Sequence, residues 1–258
     1  MPPVSPEQVP ARPTGPAASA RTAVVWEVLS SVLAEADPHG RGIDVVDAGG
    51  GTGGFAVPLA RAGHRVTVVD PSPDSLAALQ RRAAEAGLGD RVVGVQGDLG
   101  DLLSLADPAS VDLLLCHSVL EVVDDPAEAL ANLAAVLRPG GRLSLLVANR
   151  AAAVLARALA GHPDEAARAL TDPDGRWGPH DGVHRRFTSD SLAALVTGAG
   201  LVVEQLHGVR VVADLVPSAA LDVEPGAAAA LLALERALSD RLPFRDIATQ
   251  LHLLAQRR

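Results

Sequence analysis

The stretch DVVDAGGGTGGFAVPLARAGHRVTVVD, residues 44–70, decides how the rest of the chain is read. An apolar run, a glycine loop, a short helical segment and a second apolar run ending at Asp70 follow one another without a break. Gly49, Gly51 and Gly54 spell G-x-G-x-x-G, the turn that lets a backbone approach a dinucleotide pyrophosphate at a helix N-terminus. Asp47, Gly49, Gly51 and Gly53 spell D-x-G-x-G-x-G, the pattern of an S-adenosylmethionine site. Charge separates the two readings. A carboxylate at the loop entry repels a pyrophosphate at short range and attracts the ammonium end of S-adenosyl-L-methionine, which becomes the favoured cofactor. Asp70 suits either class, because a carboxylate closing the second strand holds a ribose diol in both.

Working outward, IDVVDA, RVTVVD, RVVGVQ, VDLLLC and GRLSLLVA read as strands, with helices over 55–62, 73–86 and 126–137 between them. Connections of that length are too long for hairpins and call for a parallel sheet covered by helices on both faces. Ahead of it, Val25, Val28, Leu29, Val32 and Leu33 recur at helical spacing up to Asp37-Pro38. After the fifth strand the rhythm changes. Residues 151–187 turn from Ala/Arg-rich to Gly/Pro/His-rich, which reads as a lid. TSDSLAALVTGAG then opens a helix with a capping Thr or Ser, and the strand LVVEQLHGVRVV, the helix AAAALLALERALSDRL and the strand ATQLHLLAQR complete the chain.

The chain has 258 residues, 48% of them hydrophobic, enough for one large domain over 19–258. Residues 1–18 carry six prolines and neither a basic nor an apolar leader segment, so they read as a mobile tail and not as a secretory signal. Every long Ala/Leu segment is broken by Arg or Glu, which excludes a membrane span of about 18 apolar residues. One cysteine, Cys116, rules out an internal disulfide and reads as a strand-end core residue; the expected location is cytoplasmic. The net charge of −9 argues against wrapping nucleic acid, yet it is uneven. Residues 1–148 carry 18 acids and 10 arginines, residues 149–258 carry 13 and 12, so the second half can hold a local basic patch.

The end of the third strand brings Asp98 and Leu99, an acid that can accept from an adenine amino group and an apolar side chain that can cover the ring. The fourth strand leads into CHSVLEVVDDPAEALANLAAVLRPGG, residues 116–141. This loop, helix and LRPGG turn, with the glycine loop, Asp70 and Asp98 at ordered intervals, resembles the class I S-adenosylmethionine-dependent methyltransferases. The resemblance implies an α/β, doubly wound, mostly parallel seven-stranded sheet with an antiparallel last strand and a lid after the fifth strand. RTAVVWEVLSSVLAE, CHSVLEVVDDP and the C-terminal GVRVVADLV with ALLALERALSDRLPFRDIATQLHLLAQR are similar to one branch, the bacterial tRNA carboxymethoxyuridine methyltransferases. By that likeness Arg21 clamps the cofactor carboxylate, Gly49 and Gly50 line its methionine portion, Asp70 holds the ribose, Leu99 and Gly100 flank adenine, and His117 closes the site.

The branch methylates a carboxylate on a modified wobble uridine, an acceptor that needs no general base. Alignment of its oxygen behind the methyl group supplies ~7–11 kcal/mol. A hydroxyl or amine acceptor would need a base, with His117 or a lid histidine as candidates. Where the branch is lysine-rich, this chain has DEAARALTDPDGRWGPHDGVHRRFTSD with Arg176, Arg185 and Arg186, a loss of phosphate-neutralising charge that sets a small-molecule acceptor beside tRNA. Asn149, Arg185, Arg186 and Arg210 are the substrate-side candidates, Arg210 having Asp214 as an alternative partner. His180, Asp181 and His184 lack a further ligand group and read as loop, with no metal expected. Two readings from other classes stand beside the enzyme: an NAD(P)-dependent oxidoreductase using the same glycine loop, and a noncatalytic S-adenosylmethionine-binding protein.

Overall fold

Short runs rich in Val and Leu must be covered on both faces, and the chain achieves this by laying helices on either side of one sheet. The computed structural model describes residues 22–217 and 226–258; the Pro-rich tail and Arg21 lie outside the described residues. Five strands pair in parallel: β1 (Asp44–Ala48), β2 (Arg65–Asp70), β3 (Val92–Gln96), β4 (Val111–His117) and β5 (Leu137–Ala148). The last two, β6 (Leu201–Val209) and β7 (Gln250–Arg257), complete a sheet of order β3-β2-β1-β4-β5-β7-β6. β7 lies antiparallel between β5 and β6. The expected doubly wound sheet with an antiparallel last strand is thereby found. Strand order reverses between β1 and β4, and the crevice outside their carboxyl ends is where such a sheet binds ligands.

Side chains alternate between two cores. Val46, Ala48, Leu114, Cys116, Leu143 and Leu145 face one layer. Val45, Leu113, Leu115 and Leu146 face the other. On the second layer lie α1 (Ala23–Ala36), α2 (Ala56–Arg61) and α3 (Pro73–Glu85), through Trp26, Leu29, Leu59 and Leu79. On the first lie α4 (Leu102–Leu105), α5 (Pro126–Val136) and α8 (Ser189–Gly198), through Leu102, Leu130, Leu133, Leu192 and Val196. Helix starts follow local chemistry. Ser72 accepts from the Ser75 N–H, Asp125 from the Ala127 and Glu128 N–H groups, and Thr188 forms a capping box with Ser191.

The segment after β5 contains two helices, α6 (Arg150–Leu159) and α7 (Pro163–Thr171), before the Gly/Pro-rich turn region. Two more, α9 (Ala227–Leu238) and α10 (Phe244–Ile247), lead into β7. The strand expected over 201–212 ends at Val209 because Arg210 takes a left-handed φ of 61° and leaves the ladder. The LRPGG turn joins β5, its Leu137 pairing with Val111 across a register shift. Cys116 is fully buried, as its apolar run implies, and burial raises its thiol pKa. Among the described residues no helix is long and apolar enough to cross a membrane.

Leu114 is fully buried in the middle of β4. Leu114→Ala is expected to lower unfolding free energy by about 2–5 kcal/mol in denaturant titration, through lost transfer energy and the cavity left behind.

Candidate active site

β1 feeds directly into the glycine loop, and the loop's shape follows from close approaches that only glycine tolerates. Gly49, Gly51 and Gly53 have φ of 74°, 54° and 81°. A Cβ on Gly49 would stand 2.2 Å from Val119 Cγ2, and one on Gly50 would stand 2.5 Å from Asp47 Cγ. Asp70, at the end of β2, ties the loop to the next turn: its carboxylate accepts the Gly51 N–H and the Ser72 N–H, each at 2.9 Å. Those two bonds leave a carboxylate acceptor capacity for a diol.

Asp47 lies beneath this loop, 2% exposed, and its Oδ2 has no hydrogen-bond partner among the described residues. Loss of water, reinforced by the nearby Asp70 charge, pushes its pKa up to about 7. A buried carboxylate with no cation beside it is costly to ionise. A positive group beside it would relieve that cost.

On the other side of Gly49 a cavity of about 440 Å³ opens between the ends of β2 and β3 and the loop after β4. Val69, Leu99 and Val119 form apolar walls, and Asp98 and Gly100 stand at its edge. Asp98 Oδ1 closes its own turn by accepting the Gly100 N–H at 2.7 Å, while Asn132 of α5 donates to the Leu99 carbonyl at 3.1 Å. Asp124, Asp125 and Glu128 line it as well, and a flat heteroaromatic ring with amino groups fits apolar walls rimmed by acids.

His117 ends β4. Its ring meets Phe55 edge-on at 4.6 Å between centroids, and Phe55 stacks on Trp26 at 5.0 Å. His117 Nε2 lies 2.9 Å from Ser144 Oγ, which in turn lies 2.8 Å from His252 Nε2. A single hydroxyl proton serves only one of the two imidazoles, so the other donates its own N–H to Ser144. Desolvation pushes the His117 pKa down to about 3 and that of His252 well below its ordinary value, so both rings stay neutral. A nitrogen with so little proton affinity is a weak general base.

At the carboxyl edge beyond β5, three of the four expected substrate-side residues have spent their polar groups inside the protein. Asn149 is 2% exposed; its amide donates to the Asp246 and Ala248 carbonyls and its oxygen accepts from the Ala151 N–H, capping α6. Arg186 is buried in a two-pronged pair with Asp181 at 2.6 and 2.9 Å and donates to the Gly175 carbonyl. Arg185 pairs with Asp174 and donates to the Val123 carbonyl at 2.9 Å, fastening the inserted segment to the loop after β4. Arg210 pairs with Asp214, yet its buried Nε has no partner among the described residues. Sequence reasoning misses Glu121, whose Oε1 accepts the Ala148 N–H at 2.7 Å while its Oε2 stays buried and unpaired. It also misses the Ser144–His252 relay. A polar residue inside an apolar run, as in HSVLEVV and TQLHLLA, is the signal that both carry.

The methyltransferase-domain family model matches residues 46–145, the span from β1 to β5 that builds this crevice. Among curated relatives, the tRNA 5-carboxymethoxyuridine methyltransferase of Escherichia coli is 38% identical over 144 residues, which cover 56% of this chain and 54% of that protein. The chain thus spans about half the length of that relative. A ubiquinone biosynthesis O-methyltransferase of Xanthomonas axonopodis pv. citri is 32% identical over 183 residues, 70% of each chain. The chain belongs to the S-adenosylmethionine-dependent methyltransferases.

Solved structures agree on the fold. The S-adenosylmethionine-dependent methyltransferase from Mesorhizobium loti superposes with a TM-score of 0.61 at 20% identity, covering 94% of this chain and 100% of that one. Geranyl diphosphate C-methyltransferase from Streptomyces coelicolor, solved with S-adenosyl-L-homocysteine, gives 0.60 at 18% identity over 92% and 79% of the two chains. Membership in this family decides between the two cofactors that fit the glycine loop, and with it the dinucleotide oxidoreductase reading falls. The buried, unpaired Asp47 Oδ2 fits a cofactor with an ammonium end.

The Asp47 shift has a signed consequence for this methyltransferase. Because the folded-state pKa is raised, stability is full below the ordinary carboxylate pKa and is lost as pH rises to about 7, where the loss levels off. Asp47→Asn removes the ionisation, so the variant is expected to gain on the wild type across that window. Thermal unfolding of both proteins without ligand, from pH 4.5 to 8, checks this; parallel curves would refute it.

Proposed function

We propose that this protein transfers the methyl group of S-adenosyl-L-methionine to a carboxylate oxygen on a modified tRNA wobble uridine. The observation that carries the reading is the 38% identity to the tRNA enzyme of Escherichia coli over 144 residues. The weak basicity of His117 supports it, since an ionised carboxylate gives up no proton. The cofactor supplies a sulfonium methyl group. An acceptor oxygen lone pair forms the new O–C bond as the S–C bond breaks and its electrons return to sulfur. The products are a methyl ester and S-adenosyl-L-homocysteine, with no proton transferred. In this reading the protein aligns and desolvates the acceptor, and holds the donor.

The residues divide that work. Asp47 faces the ammonium, Arg21 takes the cofactor carboxylate, and the backbone of Gly49, Gly50 and Gly51 lines the methionine portion above Asp47, on which the loop can close because Gly50 has no Cβ. Asp70 holds the ribose with the acceptor capacity that its two backbone bonds leave. Leu99 and Gly100 flank adenine and Asp98 meets its amino group at the edge of the cavity. His117, neutral and locked to Ser144, is a wall of the site. Residues 151–187 form the lid, with Arg185 and Arg186 bracing it.

A small-molecule acceptor is the second reading, favoured by the 70% overlap with the ubiquinone-pathway enzyme and by the nearly balanced charge of residues 149–258. Incubation with methyl-labelled donor, followed by separate recovery of RNA and small-molecule fractions, tells them apart. Label is expected in tRNA and is released as methanol by mild alkali, as an ester requires. Label confined to the metabolite fraction overturns the tRNA substrate. Asp47→Asn is expected to weaken S-adenosyl-L-homocysteine binding about tenfold, as titration calorimetry would read it. Unchanged affinity would remove Asp47 from the ammonium site.

A further inference from the structure

β6 leaves the sheet at Val209, which pairs with Gln250; Gln250 also pairs with Ala148 at the end of β5. Arg210 therefore emerges at the carboxyl edge, on the crevice side of the sheet. The chain turns there in a way that needs explanation. Three consecutive N–H groups, of Val211, Val212 and Ala213, converge on one carboxylate, Glu235 of α9, at 3.0, 2.7 and 2.6 Å. Glu235 is fully buried. Taking a carboxylate out of water is costly, and an ordinary surface turn would leave such amides to solvent. The nest of amides offsets that cost, and in doing so fixes the backbone immediately after Arg210.

Arg210 is the residue this device aims. Its φ of 61° is a strained value for a residue that carries a Cβ, and the Thr249 N–H donates to its carbonyl from the other side at 3.3 Å. Its guanidinium is paired with Asp214 and holds a buried Nε without a partner among the described residues. Asp214 also accepts from the Thr249 hydroxyl at 3.1 Å. Next along the edge, Gln250 Nε2 lies 3.3 Å from the hydroxyl of Ser118, itself at a φ of 58° directly after His117. The partly exposed guanidinium, shared with Asp214 and flanked by hydroxyl and amide groups, carries the chemistry that recognises an anion.

We propose that Arg210 reads the anionic group of the methyl acceptor and that Glu235, through the 211–213 amides, is the residue that positions it. This rests on the carboxylate reading above and deepens it. Arg210 offers its fork to the acceptor carboxylate and leaves one oxygen free to attack. Esterification removes the charge that Arg210 holds, so the product is bound more weakly than the substrate. Of the substrate-side arginines, Arg186 is buried in its two-pronged pair and Arg185 is spent on Asp174 and the Val123 carbonyl, whereas Arg210 has one ion-pair partner among the described residues, Asp214, and a side chain that is 29% exposed.

Two measurements on the full chain test this. The first titrates phenoxyacetate and its methyl ester into the protein saturated with S-adenosyl-L-homocysteine. Wild type is expected to prefer the acid by about tenfold, and Arg210→Ala to lose the preference. No preference in the wild type, or one that survives in Arg210→Ala, overturns the proposal. The second measures transfer to tRNA freed of esters by mild alkali. Arg210→Ala is expected to raise KM about tenfold or more and Glu235→Gln about threefold, with kcat and S-adenosyl-L-homocysteine affinity within about twofold. In the double variant, Glu235→Gln is expected to add nothing to Arg210→Ala, since its effect passes through that side chain. A Glu235→Gln effect that persists undiminished there makes Glu235 merely structural and overturns its part. If wild type transfers nothing to tRNA while the acid-over-ester preference depends on Arg210, the tRNA substrate fails and the anion site stands.

Discussion

A carboxylate held out of water beneath a glycine turn is the constraint on which the rest of this crevice depends. Asp47 fills the space where Gly50 would otherwise carry a Cβ, so the loop closes over it only because residue 50 has no side chain. The loop's neighbours then follow. Gly49 makes room for Val119, Gly51 presents its N–H to Asp70, and Asp70 carries the connection on to Ser72 at the start of α3. A negative group placed this way destabilises the ligand-free fold at neutral pH, and the positive ligand end proposed for it would relieve that cost. That difference between empty and filled states is a source of binding selectivity that contact area alone does not supply.

Behind the crevice the protein uses neutral imidazole instead of charge. His117, Ser144 and His252 run through the sheet from β4 across β5 to β7, with the His207 ring stacked 6.0 Å from His252 on β6. Polar groups strung across the interior of a sheet fix its register, because sliding any strand would leave a hydroxyl or ring nitrogen unpaired. The chain keeps the antiparallel β7 seated between two strands that run the other way, and so holds Gln250 and Arg210 at the edge.

Much of this was open to a reader of the residues. Near-continuous runs of Val and Leu mark the strands, since a sheet covered on both faces leaves apolar side chains on both. Ser72, Asp125 and Thr188 mark helix starts by chemistry acting within three residues. The glycine loop, Asp47, Asp70 and the Asp98–Gly100 turn lie at successive strand ends, where the fold delivers them to one crevice. Less was readable after β5. The inserted segment reads as a lid, Ala/Arg-rich and then Gly/Pro/His-rich, yet its first part forms α6 and α7; strand pattern runs through 212, yet the strand stops at 209.

The sequence by itself determined the alternation of the main strands and helices up to β5, the place of the glycine loop and the sign of the charge beneath it, because these depend on residues near one another in the chain. Only the tertiary structure decided which polar side chains remain available. Arg185 reaches carbonyls 62 residues away, Ser144 meets a histidine 108 residues away, and Glu235 gathers amides more than 20 residues upstream. No periodicity encodes such meetings. They are fixed by how the crossovers bring distant elements together and exclude water, which leaves each buried polar atom to pair with whatever the fold has placed within reach.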